Sequence, residues 1–118
     1  MPQISFCPTG GLSLRNAREY LALRNVICIG GGVLCDVVGF ATSTYKRGAN
    51  LILVPTSLLA MVDASHGGKN GVNNNYGKNQ IGTFYQPDLV MSDTSFLKSL
   101  SKREIICGYA EMLKHSLI

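Results

Sequence analysis

The chain has 118 residues, 46% of them hydrophobic and only 15% charged, with a net charge of +4. That length excludes more than one domain and allows a small core. So few charges predict that some apolar surface is covered by another chain or by sequence outside these residues. The lysines and arginines are scattered, with no dense run and no interleaved aromatics. The basic balance therefore points to a small anionic ligand rather than nucleic acid.

Cys7, Cys28, Cys35 and Cys107 show neither a CxxC pair nor metal-finger spacing. Cys28 and Cys107 sit in apolar runs, which predicts buried free thiols and a reducing compartment. The N-terminus has no charged segment followed by an apolar one, and no apolar run is long enough to span a bilayer. The expected location is cytoplasmic, with no membrane partner.

In chain order, the first 25 or so residues are weakly patterned, with a short helix expected from Ser13 to Leu23 and no strand assigned before it. "NVICIGGG" reads as a buried strand running into Gly30, Gly31 and Gly32. "DVVGFATSTYKRG" reads as a helix that ends at Gly48, and "NLILVP" as a second buried strand closed by Pro55. "TSLLAMVDAS" reads as a helix with Thr56 as its N-cap. "GGKNGVNNNYGKN" is turn-rich, and "DLVMSD" is a third short strand. "SKREIICGYAEMLKHSLI" has Ser101, then Glu104 three residues on, then apolar positions at helical spacing: a capping box opening an amphipathic helix. Strands alternating with helices predict an α/β fold with a Rossmann-like parallel sheet.

Several of these junctions carry chemistry. Glycines between a buried strand and a helix bring backbone N–H groups and a helix N-terminus to one point, where a pyrophosphate fits. A structural glycine turn would read the same way. Asp36 could hold a ribose or an amide, or simply favour the helix dipole. Thr56 and Ser57 form a second strand-end junction, and ligands of open α/β sheets gather at that edge. Asp63, Lys69 and Lys78 around a glycine-rich turn could orient a polyhydroxylated anion; a solvated hairpin is the plainer reading. His66 beside glycines reads as structural or exposed. Glu111 and His115 share one helix face, a spacing that can bind zinc, but two ligands are too few and no third is evident. Lys114 neighbours Glu111 on that face.

"GGGVLCDVVGFATSTYKRG", "VPTSLLAMVDASHGGKNGVN", "YGKNQIGTFYQP", "DTSFLKSL" and "REIICGYAEMLKHSLI" follow one another in order. Together they resemble the central segment of the 3-dehydroquinate synthase family, over about residues 26–118. Related sugar-phosphate cyclases share the plan, but the "GGK" and "GKNxIGxFYQP" forms favour the dehydroquinate enzyme. The resemblance implies an NAD- and divalent-metal-dependent carbon–oxygen lyase of the shikimate pathway, with zinc or possibly cobalt. It would turn the phosphorylated keto acid DAHP into 3-dehydroquinate and phosphate. Oxidation of a ring hydroxyl acidifies the neighbouring C–H, which is why elimination uses a hydride acceptor.

Carried over by position, the resemblance implies that Gly31, Gly32, Val33, Leu34, Cys35 and Asp36 bind the dinucleotide. Thr56, Ser57 and Leu59, with Lys69 and Lys78, would do so too, as would Phe96, Leu97, Lys98, Ser99 and Leu100. Asp63, Lys69, Asn79 and Lys114 match substrate contacts. Arg47 matches an arginine that reaches the neighbouring subunit's substrate phosphate, which implies a homodimer. Glu111 matches a metal ligand. Cys35 departs from the family's small residue and would add bulk beside the pyrophosphate while keeping its backbone N–H. Ser57 and Ser99 stand for threonine, and His66 and Asn70 for an aliphatic and a threonine. The same resemblance divides the chain into a partial NAD-binding domain, residues 1–93, and the start of a helical domain, residues 94–118. The family's two histidine ligands lie further along, and His115 is not expected to replace them, so the chain alone is expected to be inactive. A non-catalytic dinucleotide-binding remnant is the alternative.

Overall fold

Two apolar hexapeptides form the centre of the molecule. The structure is a computed structural model describing residues 6–7 and 25–118, with side chains described from Val26 onward. Strands β2 (Asn25–Gly30) and β3 (Asn50–Pro55) lie parallel in full register, from Asn25 opposite Asn50 to Gly30 opposite Pro55. Val26, Ile27 and Cys28 of β2 are buried, as are Leu51, Leu53 and Pro55 of β3. A short β1 (Phe6–Cys7) pairs parallel with β2. A short β6 (Leu89–Val90) pairs parallel with β3, giving the order β1-β2-β3-β6. Asp88 secures that outer pairing: its Oδ2 accepts from the Leu51 amide at 2.7 Å and its own N–H donates to Leu51 O at 2.8 Å. The expected helix from Ser13 to Leu23 lies outside the described residues. Among those residues, no helix is long and apolar enough to cross a membrane.

Helix α1 (Gly32–Thr44) covers the sheet with Cys35, Val38, Gly39 and Thr42, a helical stripe that meets Val26, Cys28, Leu51 and Leu53. The helix opens at Gly32, ahead of Asp36, because a first turn needs no partners for its N–H groups and glycines are tolerated there. It ends at Thr44, short of Gly48. A tighter turn, Tyr45–Arg47, follows, with Lys46 and Arg47 at positive φ and Gly48 at φ 114°.

The segment after β3 corrects the expected cap. Thr56 extends the sheet instead, its N–H donating to Gly30 O at 2.9 Å. Ser57 does the capping, its Oγ accepting from the Ala60 amide at 3.3 Å. The helix that follows is brief and wide, in π form over Ala60–Ala64. Ser65 closes it with Oγ on Ala60 O at 2.8 Å.

"GGKNGVNNNYGKN" is more ordered than turn-rich sequence suggests. β4 (Lys69–Asn74) and β5 (Gly77–Phe84) form an antiparallel hairpin. Asparagine and glycine are poor strand formers, so the pattern concealed both strands. At the tip, Asn74 Oδ1 accepts from the amides of Tyr76 and Gly77 at 2.9 and 3.0 Å. The base is held by buried Asn70, whose Nδ2 donates to Gly68 O and Tyr85 O at 3.0 and 3.1 Å. A β-carbon on Gly39 would lie 2.0 Å from Asn70 Oδ1, so α1 and the hairpin meet where only glycine fits.

Helix α2 (Lys102–Leu117) has the capping box read from the sequence: Ser101 Oγ accepts from the Glu104 amide, and Glu104 Oε2 from the Ser101 amide. It leans on the turn after β3 at Gly108, where a β-carbon would meet the Leu58 side chain at 2.4 Å. Its outer face leaves Ile106, Tyr109, Leu113 and Leu117 exposed, the uncovered apolar surface that the low charge predicted.

Gly39→Val is expected to lower stability by about 1–3 kcal/mol, the usual cost of overpacking. Tyr76→Ala at the exposed hairpin tip is expected to stay within about 0.5 kcal/mol. Urea denaturation midpoints of the two variants check this.

Candidate functional site

Because Gly30 and Pro55 are opposite each other, the residues that follow them, 31–34 and 56–59, leave the sheet side by side. Between them lies a crevice of about 690 Å³. Gly31, Gly32, Val33, Leu34, Thr56, Ser57 and Leu59 all line it. No side chain caps the start of α1, so the Gly32 and Val33 amides at the crevice have no side-chain acceptor, while the Leu34 amide donates to Gly31 O at 3.1 Å. A β-carbon on Gly31 would lie 3.6 Å from Ser57 Oγ and one on Gly32 3.3 Å from Ala64 Cβ, so larger residues would fill the floor.

Cys35 does not line this crevice. Its side chain is fully buried in the core, and its amide is spent on Gly31 O at 3.1 Å. It therefore adds no bulk at the crevice and has no free N–H to offer. The Cys28 thiol beside it holds Cys35 below the usual thiol range, against burial and the charge of Asp36. Cys107 is also a correction: it is exposed, and with Arg103 and Glu104 it forms the crevice's far wall. The helical stripe 103, 104, 107 was readable, but not that α2 crosses this edge.

A second cleft, of about 320 Å³, opens between α1 and the hairpin. It gathers Asp36, Lys69 and Asn79 with Asn70, Gln80 and Thr83. Asp36 thus faces the hairpin rather than the glycine crevice. Burial, and then the charge of Asp63, push the Asp36 carboxyl above its ordinary range. Lys78, Arg47 and residues 96–100 line neither cleft. Arg47 and Lys78 are exposed. Phe96 and Leu97 lie half-buried in the 3₁₀ turn Thr94–Ser99, and Leu100 just after it.

A third grouping joins α2 to the turn after β3. Donor atoms of Asp63, Glu111 and His115 all lie within 4.8 Å of one another. His115 Nε2 is 3.4 Å from Glu111 Oε1 and 3.7 Å from Asp63 Oδ1. Lys114 also pairs with Glu111, whose carboxylate raises the Lys114 pKa. Two carboxylate oxygens and an imidazole suit a divalent cation, so these residues fit such an ion. His66 is elsewhere, exposed, with Nδ1 3.0 Å from Ser65 Oγ.

Parallel strands, a glycine turn and a crevice outside their carboxyl ends define a Rossmann-like α/β protein. Solved structures agree. A 2-epi-5-epi-valiolone synthase from Streptomyces hygroscopicus subsp. jinggangensis, with NAD+ and Zn2+ bound, matches with a TM-score of 0.77 and 37% identity, over 86% of this chain and 31% of that one. A 2-deoxy-scyllo-inosose synthase complexed with carbaglucose-6-phosphate, NAD+ and Co2+ matches with a TM-score of 0.81 and 36% identity, over 88% and 29%. The family model for 3-dehydroquinate synthase, N-terminal part, matches residues 14–107. Relatives named 3-dehydroquinate synthase from Pelagibacter ubique and Campylobacter jejuni subsp. doylei are 64% and 58% identical over 93 residues, 79% of this chain. The chain belongs to the 3-dehydroquinate synthase family. It spans about a quarter of the length of those relatives, 25% and 26%.

The raised Asp36 pKa gives a signed prediction. The fold favours the protonated acid, so ionisation costs stability above the folded pKa and nothing below the unfolded one. Asp36→Asn is expected to raise the melting temperature at about pH 7, with the gain shrinking as pH falls towards about 4. Melting curves of both proteins across that range check it; a gain independent of pH would rule out the charge as its source.

Proposed function

We propose that this chain carries the nucleotide-facing and metal-facing parts of a 3-dehydroquinate synthase, acting on DAHP with NAD and a divalent metal. The observation that carries the reading is the convergence of the glycine turn, the Thr56–Ser57 turn and α2 on one crevice. The uncapped first turn of α1 would meet the pyrophosphate with backbone N–H groups and the positive helix end. Thr56, Ser57 and Leu59 would line the other side of the dinucleotide. NAD would accept and return a hydride, and the metal would polarise the hydroxyls being oxidised.

Lys69 and Asn79 share the smaller cleft, where an amine and an amide would bind substrate oxygens. Asp63 and Lys114 would do the same at the end of α2, and Glu111 would be the carboxylate ligand of the metal. Lys78 and residues 96–100 would reach the dinucleotide only from its outer side. Exposed Arg47 would serve a neighbouring subunit, making a cytoplasmic homodimer. The division between nucleotide-binding and helical parts would fall near residue 93. Identity of 64% and 58% to dehydroquinate synthases, against 37% and 36% to the solved 2-epi-5-epi-valiolone and 2-deoxy-scyllo-inosose synthases, supports the dehydroquinate reading over its relatives.

The 118-residue protein is expected to bind NAD with a micromolar-range Kd by titration calorimetry. Gly32→Val should weaken that at least about tenfold, or about 1.4 kcal/mol. Without other chain segments it should release no phosphate from DAHP. A chimera placing residues 26–118 in the 64%-identical relative should release phosphate from DAHP and not from glucose 6-phosphate. The opposite preference would favour a different sugar-phosphate cyclase; NAD binding with a chimera that releases no phosphate would favour the non-catalytic dinucleotide-binding remnant, and absence of NAD binding an inert one.

A further inference from the structure

Lys46 and Arg47, two consecutive residues that are not glycine, take left-handed backbone at φ 47° and 70°. Such conformations cost free energy in any residue with a β-carbon and persist where the surrounding structure holds them. One hold is local: the Gly48 amide donates to Tyr45 O at 2.8 Å. The other comes from 36 residues further along the chain. There Tyr85 Oη donates to Ala49 O at 2.6 Å. A β-carbon on Gly48 would lie 2.8 Å from that hydroxyl oxygen. The hydroxyl therefore occupies the space left by the side chain that Gly48 lacks.

Tyr85 is itself fixed. Its ring packs against the core cluster of β2, β3 and α1. Its N–H donates to Gly68 O at 2.7 Å, and its carbonyl accepts from Asn70 Nδ2 at 3.1 Å. One residue thus ties the strained turn after α1 to the base of the hairpin that carries Lys69. The turn also separates its two cations. Lys46 lies back over the Tyr45 ring, 5.4 Å from the centroid. Arg47 is exposed and has neither hydrogen bond nor ion pair among the described residues.

We propose that Tyr85 is a positioning residue: its hydroxyl holds the turn over residues 45–49 in the shape that presents Arg47 outward to a phosphate-type anion. The proposal rests on the functional reading only for the identity of that anion, the substrate phosphate of a neighbouring subunit. A guanidinium grips phosphate through paired N–H groups in one plane, so its orientation counts as well as its charge. Without the tether, residues 46 and 47 can relax to right-handed backbone, which swings the Arg47 side chain away from its present direction. Phenylalanine at position 85 keeps the ring packing and removes only the hydrogen bond.

Trypsin digestion of the 118-residue protein, read by mass spectrometry, tests the tether. In Tyr85→Phe, cleavage after Lys46 and Arg47 is expected to quicken about fivefold, the rise in open turn that losing one hydrogen bond produces. Cleavage after Lys78 and Lys98, both exposed and away from this turn, should keep the parent's rate. In the chimera carrying residues 26–118, Tyr85→Phe should raise KM for DAHP about three- to tenfold and lower kcat less. In an Arg47→Ala background the same change should add nothing, because the hydroxyl acts through Arg47. Unchanged cleavage after Arg47, or an equal rise at every site, overturns the proposal. So does a KM effect that persists in full beside Arg47→Ala. A rise confined to Lys46 and Arg47, with a chimera that releases no phosphate from DAHP, sustains the tether and counts against the functional reading alone.

Discussion

Parallel pairing of β2 with β3 in full register is the constraint on which the other features hang. It sets Gly30 opposite Pro55, so both chains leave the sheet at the same level. The Thr56 amide then bonds Gly30 O, which locks the two exits together by one further rung. A slip of one residue would turn the side chains of the shifted strand to the opposite face and put the two turns out of level. The core, the crevice and the start of α1 are therefore consequences of one alignment of two hexapeptides.

The second constraint is close approach where side chains are absent. Gly39 lets α1 sit against Asn70, which ties the hairpin to the sheet and forms the smaller cleft. Gly108 lets α2 sit against Leu58, which brings Arg103 and Cys107 to the crevice and Glu111 and His115 to Asp63. Each site is thus an interface between elements distant in sequence, held by a contact that tolerates no β-carbon.

The comparisons and the geometry bear on different parts of the reading. Family membership follows from the match over residues 14–107 and from identity above half to dehydroquinate synthases. The crevice agrees with the fold of that family: the side-chain-uncapped start of α1 and two hydroxyl residues line it at the carboxyl ends of the strands. The exposed apolar face of α2 adds another, since Leu113 and Leu117 offer a surface that a neighbouring element would cover.

Local pattern alone settled the buried strands, the glycine turn between β2 and α1, and the capping box of α2, because each depends on residues within a few positions. It misjudged Thr56 as the cap, since only the paired strand shows that its amide belongs to the sheet. It placed Cys107 inside and Cys35 at the crevice, because burial depends on which face meets the sheet. It read the asparagine-rich stretch as turn-rich or a solvated hairpin and assigned it no strands, because Asn70's buried amide and the Gly39 contact hold those strands rather than propensity. The sequence by itself determined the family and the glycine and hydroxyl residues at the strand ends, which are local and ordered along the chain. Only the tertiary structure decided that Asp63 stands beside Glu111 and His115, because a cluster drawn from two elements exists only once those elements pack.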